Sequence, residues 1–284
     1  MKKHSEQPED NYAFLKKIKL STARKLDSSF SGEYRSAVKG MGLVFDSVRE
    51  YQYGDDVRSI DWNVSARMNH LYIKEYIEER DISVLLMIDL SASTGFGLAR
   101  AKKEAVFELA SLLLRLVQIN NDRVSVLLFT DRVEKFIKPR KGRFVLSVLD
   151  EIIKCSPKGT GTDIGSAVDF ARRVLKRRSV IFCVSDFLDE KESYLLKLKL
   201  LRRRHDVIAV QVYDPFEASA NFSGLMEFID LETGETFLSD AVPGKNTFPF
   251  MQELSSIIIR TDEPVELPVL KFFERRGKMK AGRS

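Results

Sequence analysis

Five oxygen-bearing residues stand where a folded chain could turn them toward one point. Asp89, Ser91 and Ser93 alternate in Asp89-Leu90-Ser91-Ala92-Ser93-Thr94-Gly95, Thr162 lies in Lys158-Gly159-Thr160-Gly161-Thr162-Asp163-Ile164-Gly165, and Asp186 lies in Ser185-Asp186-Phe187. Carboxylate and hydroxyl oxygens, without histidine or thiolate, suit a hard cation; Mg2+ takes about six oxygens in a near-octahedral array and keeps several waters. The alternation lets Asp89, Ser91 and Ser93 face one point from a tight turn, with Thr162 and Asp186 reaching in from neighbouring loops. Taken singly, each reads as readily as a helix cap, because Asp and Ser are favoured there. Their joint placement, each just after an apolar strand or before a helix, favours a shared site.

That placement depends on the surrounding elements. The run Ser83-Val84-Leu85-Leu86-Met87-Ile88 is unbroken and apolar, as strands buried on both faces of a parallel sheet are. A helix is expected over 99–118, with apolar residues at 105, 106, 109, 110, 112, 113, 116 and 117. Strands follow at 123–130 and 133–137, helices at 144–154 and 165–175, a strand at 179–184, a helix at 194–203 and a strand at 206–212. Residues 228–237 read as a hairpin turning at 232–235, and a strand at 257–259 and a helix at 267–276 complete the series. Such alternation specifies a doubly wound parallel sheet with helices on both faces. Ligands of open parallel sheets bind beyond the carboxyl ends of the strands, near the point where strand order reverses. That rule singles out the loops carrying Asp89 and Asp186.

Upstream, residues 11–82 begin with a helical pattern (Phe14, Leu15, Ile18, Leu20) and continue as short stretches between turn residues such as Gly40, Gly42 and Gly54. The expected organisation is therefore a small, irregular, strand-rich unit over 1–82 packed on a main domain over 83–276, with a basic, frayed tail over 277–284.

The chain has 284 residues, 44% hydrophobic and 31% charged, which is globular composition and excludes a disordered or disulfide-scaffold class. A net charge of +5 does not by itself describe a nucleic-acid binder. Cys155 and Cys183 lie far apart and outside any metal-spaced motif, and are expected to be reduced thiols. The first residues carry no apolar run after Lys2 and Lys3, and the most apolar stretch, 109–117, is interrupted by Arg115 and far shorter than the roughly 20 residues that span a bilayer. The expectation is a cytoplasmic chain without membrane insertion.

The Asp89-x-Ser91-x-Ser93 loop, the Gly161-Thr162-Asp163 loop and Asp186 together resemble the metal-ion-dependent adhesion site of von Willebrand factor type A domains, over roughly residues 83–275. The upstream residues Arg49, Glu50, Tyr51, Gly54, Asp55, Asp56, Arg58, Ile60, Asp61, Trp62, Ser65, Ala66 and Arg67 resemble the signature of the bacterial family called domain of unknown function 58. So do Tyr213-Asp214-Pro215-Phe216-Glu217, the run 230–235 and the closing 270–276. The resemblance implies a Rossmann-like sheet in which Asp89, Ser91, Ser93, Thr162 and Asp186 hold one divalent cation, Mg2+ or else Mn2+ or Ca2+, some directly and some through water. It implies further that a protein partner completes the coordination with its own carboxylate, and that the chain works with a MoxR-type AAA+ ATPase in chaperone-like assembly or maturation of other proteins. The sequence holds no G-x-x-x-x-G-K-[ST] loop, so ATP hydrolysis would be the partner's.

Two other classes compete. An aspartyl-phosphate phosphohydrolase of haloacid-dehalogenase type also places an Asp after the first buried strand with Mg2+, but needs a second carboxylate two residues on, where this chain has Ser91. Binding of nucleic acid or another acidic partner is suggested by Arg172-Arg173, Lys176-Arg177-Arg178, the basic residues of 197–204 and the closing run 275–283, where only Glu274 offsets Arg275, Arg276, Lys278, Lys280 and Arg283. Cations at helix C-termini already complement the helix dipole. The upstream charges Arg49, Glu50, Asp55, Asp56, Arg58, Asp61 and Arg67 read either as a partner-binding surface or as ion pairs and turn caps that lock the small unit around Trp62.

Overall fold

The computed structural model describes residues 28–39, 43–78, 82–95, 100–188, 191–215, 226–229, 236–239 and 254–281. Six strands form the central sheet: β3 (Ser83–Asp89), β4 (Arg123–Phe129), β5 (Val133–Lys141), β6 (Val180–Ser185), β7 (Asp206–Tyr213) and β10 (Ser255–Arg260). Their order is β10-β7-β6-β3-β4-β5. All neighbours are parallel except β4 and β5, which pair antiparallel. The exception has a simple cause, because residues 130–132 are too few for the crossover of a dozen or more residues that parallel strands need.

Alternation along β3 divides the core between the two faces of the sheet. Val84, Leu86 and Ile88 pack with α3 (Lys102–Ile119), α4 (Ser147–Ile153) and α7 (Glu266–Ala281), whereas Leu85 and Met87 pack with α5 (Ile164–Val174) and α6 (Lys191–Arg202). Every apolar position expected on the inner face of α3 is buried. Most elements coincide with the sequence expectation to within a few residues; β5 runs on to Lys141 rather than stopping at 137.

The region before β3 differs more. It contains α1 (Ser28–Lys39), a helix where strands were expected. Phe30, Tyr34, Ala37 and Val38 recur at helical spacing and are buried in the same core as α7, with the Phe273 ring meeting Phe30 at 6.3 Å and Tyr34 at 5.5 Å, both edge to face. After it, β1 (Leu43–Glu50) pairs antiparallel with β2 (Tyr72–Glu78), and α2 (Trp62–Met68) lies between them in sequence. The helical pattern at 14–20 lies outside the described residues.

The expected fraying over the closing residues is also corrected: α7 continues through residues 277–281, and Arg276, one of the five cations set against Glu274 alone, pairs with Asp206. The hairpin is present as β8 (Met226–Ile229) against β9 (Thr236–Ser239), with its turn outside the described residues. No helix among the described residues is long and apolar enough to cross a membrane.

Candidate metal centre

The reversal of strand order falls at β3 and β6. From β3 the chain moves to β4 on one side, and later returns to place β6 on the other. Asp89 is the last residue of β3 and Asp186 immediately follows β6, so the two carboxylates stand side by side where the flanking connections diverge. Both are buried, Asp89 at 1% exposure and Asp186 at 3%.

Asp89 is held at each oxygen. Its Oδ1 accepts from the Ser91 amide at 2.9 Å and its Oδ2 from Ser185 Oγ at 2.7 Å. The chain beyond it turns tightly over Ala92–Gly95, with Thr94 Oγ1 donating to the Ser91 carbonyl at 2.7 Å. That turn brings Ser91 Oγ to 3.1 Å from Ser93 Oγ. The bland reading, in which these residues cap the next helix, does not hold: α3 starts later, at Lys102, and its N-cap Ala101 supplies no side-chain hydrogen bond.

The loop of Thr162 is docked beside this turn, the Ala92 amide donating to the Thr160 carbonyl at 2.9 Å and the Asp163 amide to the Thr130 carbonyl at 3.0 Å. Glu134 Oε1 fastens the same loop by accepting from the Gly159 amide at 2.8 Å and from Thr130 Oγ1 at 2.8 Å. A Cβ at Gly159 would collide with the side chains of Asp131 and Thr130, so any other residue here would require both to shift. Asp163 serves as N-cap of α5, its Oδ1 accepting from the Ser166 amide at 2.8 Å.

Two residues of the site were not anticipated from the sequence. One is Ser185, which donates to Asp89 and accepts from the Phe187 amide at 3.1 Å. The other is Lys102, whose Nζ lies 2.9 Å from Asp186 Oδ2 with only 1% of its side chain exposed. A lysine at a helix start reads as solvated; burial beside a carboxylate is the exception that marks it.

The electrostatics follow from burial. Removal from water, and then the neighbouring Asp186 charge, push the Asp89 carboxyl up to about 6, against the opposing hydrogen bonds from Ser185 and Ser91. Among the described residues no three His, Cys, Asp or Glu side chains are grouped to hold a metal, so a cation here would depend on hydroxyl and water oxygens as well as carboxylate. The donor set fits one. Octahedral Mg2+ with bonds of about 2.1 Å has edges of about 3 Å, and the two serine hydroxyls are 3.1 Å apart. Both cysteines are free, and burial raises the thiols of Cys155 and Cys183, which disfavours thiolate ligation.

The upstream charges form a separate, half-exposed network. Arg49 grips Asp55 through two bonds of 2.8 Å and donates from Nε to Glu75 at 2.7 Å; that fork, with the Gln52 amide, lowers the Asp55 carboxyl to about 2. Asp56 caps the short helical turn Val57–Ser59, and Asp61 caps α2 and lies 3.7 Å from Lys74. Glu50 is exposed, Arg58 pairs with Asp56 at 3.2 Å, and Arg67 is exposed. Trp62 is not the packed centre that one of the two readings made it: 65% exposed, it lines a cavity with Ser65, Ala66, Asn69, His70 and Leu71. The small core here is instead Ile60 against Ile73. The basic clusters near 172–178 and 202–204 lie at the ends of α5 and α6, on the sheet edge where β6 and β7 begin, opposite Asp89 and Asp186.

An uncharacterized protein of Mycobacterium tuberculosis strain H37Rv is 30% identical over 226 residues, covering 78% of this chain and 71% of its own, and an uncharacterized protein of Mycobacterium bovis matches equally. Among solved structures, the conserved hypothetical protein BatB from Bacteroides thetaiotaomicron aligns over 71% of this chain and 99% of its own with a TM-score of 0.47 and 16% identity. A von Willebrand factor type A protein from Catenulispora acidiphila aligns over 74% and 43% with a TM-score of 0.37 and 9% identity. The six-stranded, mainly parallel sheet with helices on both faces is the α/β architecture that the strand and helix alternation of the sequence specifies. With residues 47–246 matching the family described as protein of unknown function DUF58, the chain belongs to that family.

Proposed function

We propose that the protein is a non-enzymatic binding module whose carboxyl-edge site recognises an acidic side chain of a protein partner through one divalent cation, Mg2+ or Mn2+ or Ca2+. The observation that carries this reading is the convergence of Asp89, Ser91 and Ser93 on one tight turn beside Asp186, with the Thr162 loop docked against it. Ser91, Ser93 and Thr162 would offer neutral oxygens, and Asp89 and Asp186 the balancing charge. A cation held mainly by neutral oxygens keeps enough charge to take a partner carboxylate in exchange for water. Ser185 and the Ser91 amide orient Asp89, while Lys102 and the Leu188 amide orient Asp186. Ser91 at the position where a phosphohydrolase needs its second carboxylate supports binding over catalysis.

The family resemblance adds the partner class, a MoxR-type AAA+ ATPase, and chaperone-like assembly or maturation of other proteins in the cytoplasm as the setting. An affinity pull-down from source lysate tests the whole reading, using wild type with Mg2+, wild type with EDTA, and Asp89→Ala. Partners retained only by wild type with Mg2+ support it, an AAA+ ATPase among them supporting the pairing. Partners retained equally in all three samples would overturn it.

A further inference from the structure

Lys102 is the first residue of α3 and one of the most deeply buried large side chains in the molecule. A cation there is opposed twice, by lost hydration and by the positive end of the helix dipole. What offsets this is Asp186, whose Oδ2 accepts from Lys102 Nζ at 2.9 Å. The ammonium therefore sits on the carboxylate that shares the sheet edge with Asp89.

Its presence changes the charge of the site. Asp89 and Asp186 ionised, together with Lys102, leave one negative charge, which a divalent cation overshoots to one positive. In a buried setting that excess is costly. One carboxylate brought by a partner restores neutrality. We propose that Lys102 is a built-in cation that makes this site hold a divalent ion weakly by itself and firmly only together with an acidic ligand, so that metal and partner bind as a coupled pair. The inference rests on the metal-site reading above and goes beyond it by assigning the coupling to one residue.

Free Mn2+ measured by electron paramagnetic resonance, titrated into the full chain, tests this with and without 50 mM sodium acetate as the carboxylate probe, at matched ionic strength and corrected for acetate complexation. Wild type should bind Mn2+ at least threefold more tightly in acetate. Lys102→Met, checked for fold by circular dichroism, should bind Mn2+ at least tenfold more tightly than wild type without acetate and lose the acetate effect; Lys102→Arg, which keeps the charge, should behave as wild type. Asp89→Ala is the control for the site and should not bind. If Asp89→Ala abolishes binding while acetate leaves wild-type affinity unchanged, or while folded Lys102→Met binds no more tightly, the coupling is wrong and the metal site stands. If wild type fails to bind Mn2+ even in acetate, or Asp89→Ala binds as wild type does, the metal-site reading fails and the coupling with it. Where Lys102→Met folds poorly, Lys102→Gln, neutral and polar at the same buried position, makes the same comparison: tighter Mn2+ binding without acetate is expected, and wild-type affinity in the folded variant would overturn the assignment to Lys102.

Discussion

Ser185 Oγ at the end of β6 donates to Asp89 Oδ2 at the end of β3 across 2.7 Å, and the same oxygen accepts from the Phe187 amide. One hydroxyl thus joins the two central strands at the point where strand order reverses, and its hydrogen bond favours the ionised form of Asp89 against the burial that raises the carboxyl.

Ser185→Ala removes that donor from a buried carboxylate. The expected cost is about 1–3 kcal/mol, the usual penalty for stranding a buried partner, and the Asp89 carboxyl moves further above 6 because a hydrogen bond to its charged form is gone. Urea denaturation should show the loss of stability, and calorimetric Mg2+ titration a several-fold weaker binding. Unchanged Mg2+ affinity would detach Ser185 from the site.

Asp89 also makes the metal-free protein sensitive to pH. Its carboxyl is raised from 3.8 to about 6 on folding, so the unfolded state ionises first and stability falls as pH rises through that window, being fullest below 3.8. The shift corresponds to about 3 kcal/mol at neutral pH. Asp89→Asn, whose amide can donate to Ser185 Oγ once that hydroxyl turns, should flatten the pH profile in EDTA and raise the melting temperature at pH 7. A variant no more stable than wild type at pH 7 would contradict the burial argument.

Gly159→Ala places a methyl group against Asp131 and Thr130. Both of those side chains are hydrogen-bonded, Thr130 to Glu134 and Asp131 to Arg132, so neither yields freely. The loop of Thr162 should shift from its position beside Ser91, lowering Mg2+ affinity more than global stability. Hydrogen exchange at the Ala92 and Asp163 amides, bonded to the Thr160 and Thr130 carbonyls, reads the shift directly; wild-type protection at both would exclude it.

Tyr34 on α1 donates to buried Asp122 Oδ2 at 3.1 Å, and Asp122 Oδ1 accepts from the Ile82 amide just before β3. Tyr34→Phe keeps the ring against Phe273 and removes only the hydroxyl. A loss of about 1–2 kcal/mol in a single cooperative transition is expected. A separate low-temperature transition would instead make α1 an independent unit.

Much of this was legible in residue patterns because the underlying physics is local. Continuous apolar runs such as 83–88 and 179–184 can be satisfied only in a sheet covered on both faces, and the stripe of α3 has helical period. The stripe Phe30, Tyr34, Ala37, Val38 carried the same signal for α1, masked by the turn-rich sequence around it. Trp62 misled in the opposite direction, since a large aromatic invites a core assignment, whereas it stands exposed at the start of the short α2 and the buried pair of this unit is Ile60 and Ile73.

From the sequence alone it followed that Asp89 and Asp186 share an edge, because parallel strands all end on the same side and each residue directly follows an apolar run. That Asp89, Ser91 and Ser93 crowd one turn was implicit in their alternation. What only the tertiary structure decided is the company those carboxylates keep: Ser185 facing Asp89 and the ammonium of Lys102 on Asp186, 84 residues away in the chain. Chain order says which loops lie on an edge, but which helix start passes over which strand end is set by how α3 packs on the sheet, and a buried lysine is stable only where that packing delivers it to a carboxylate.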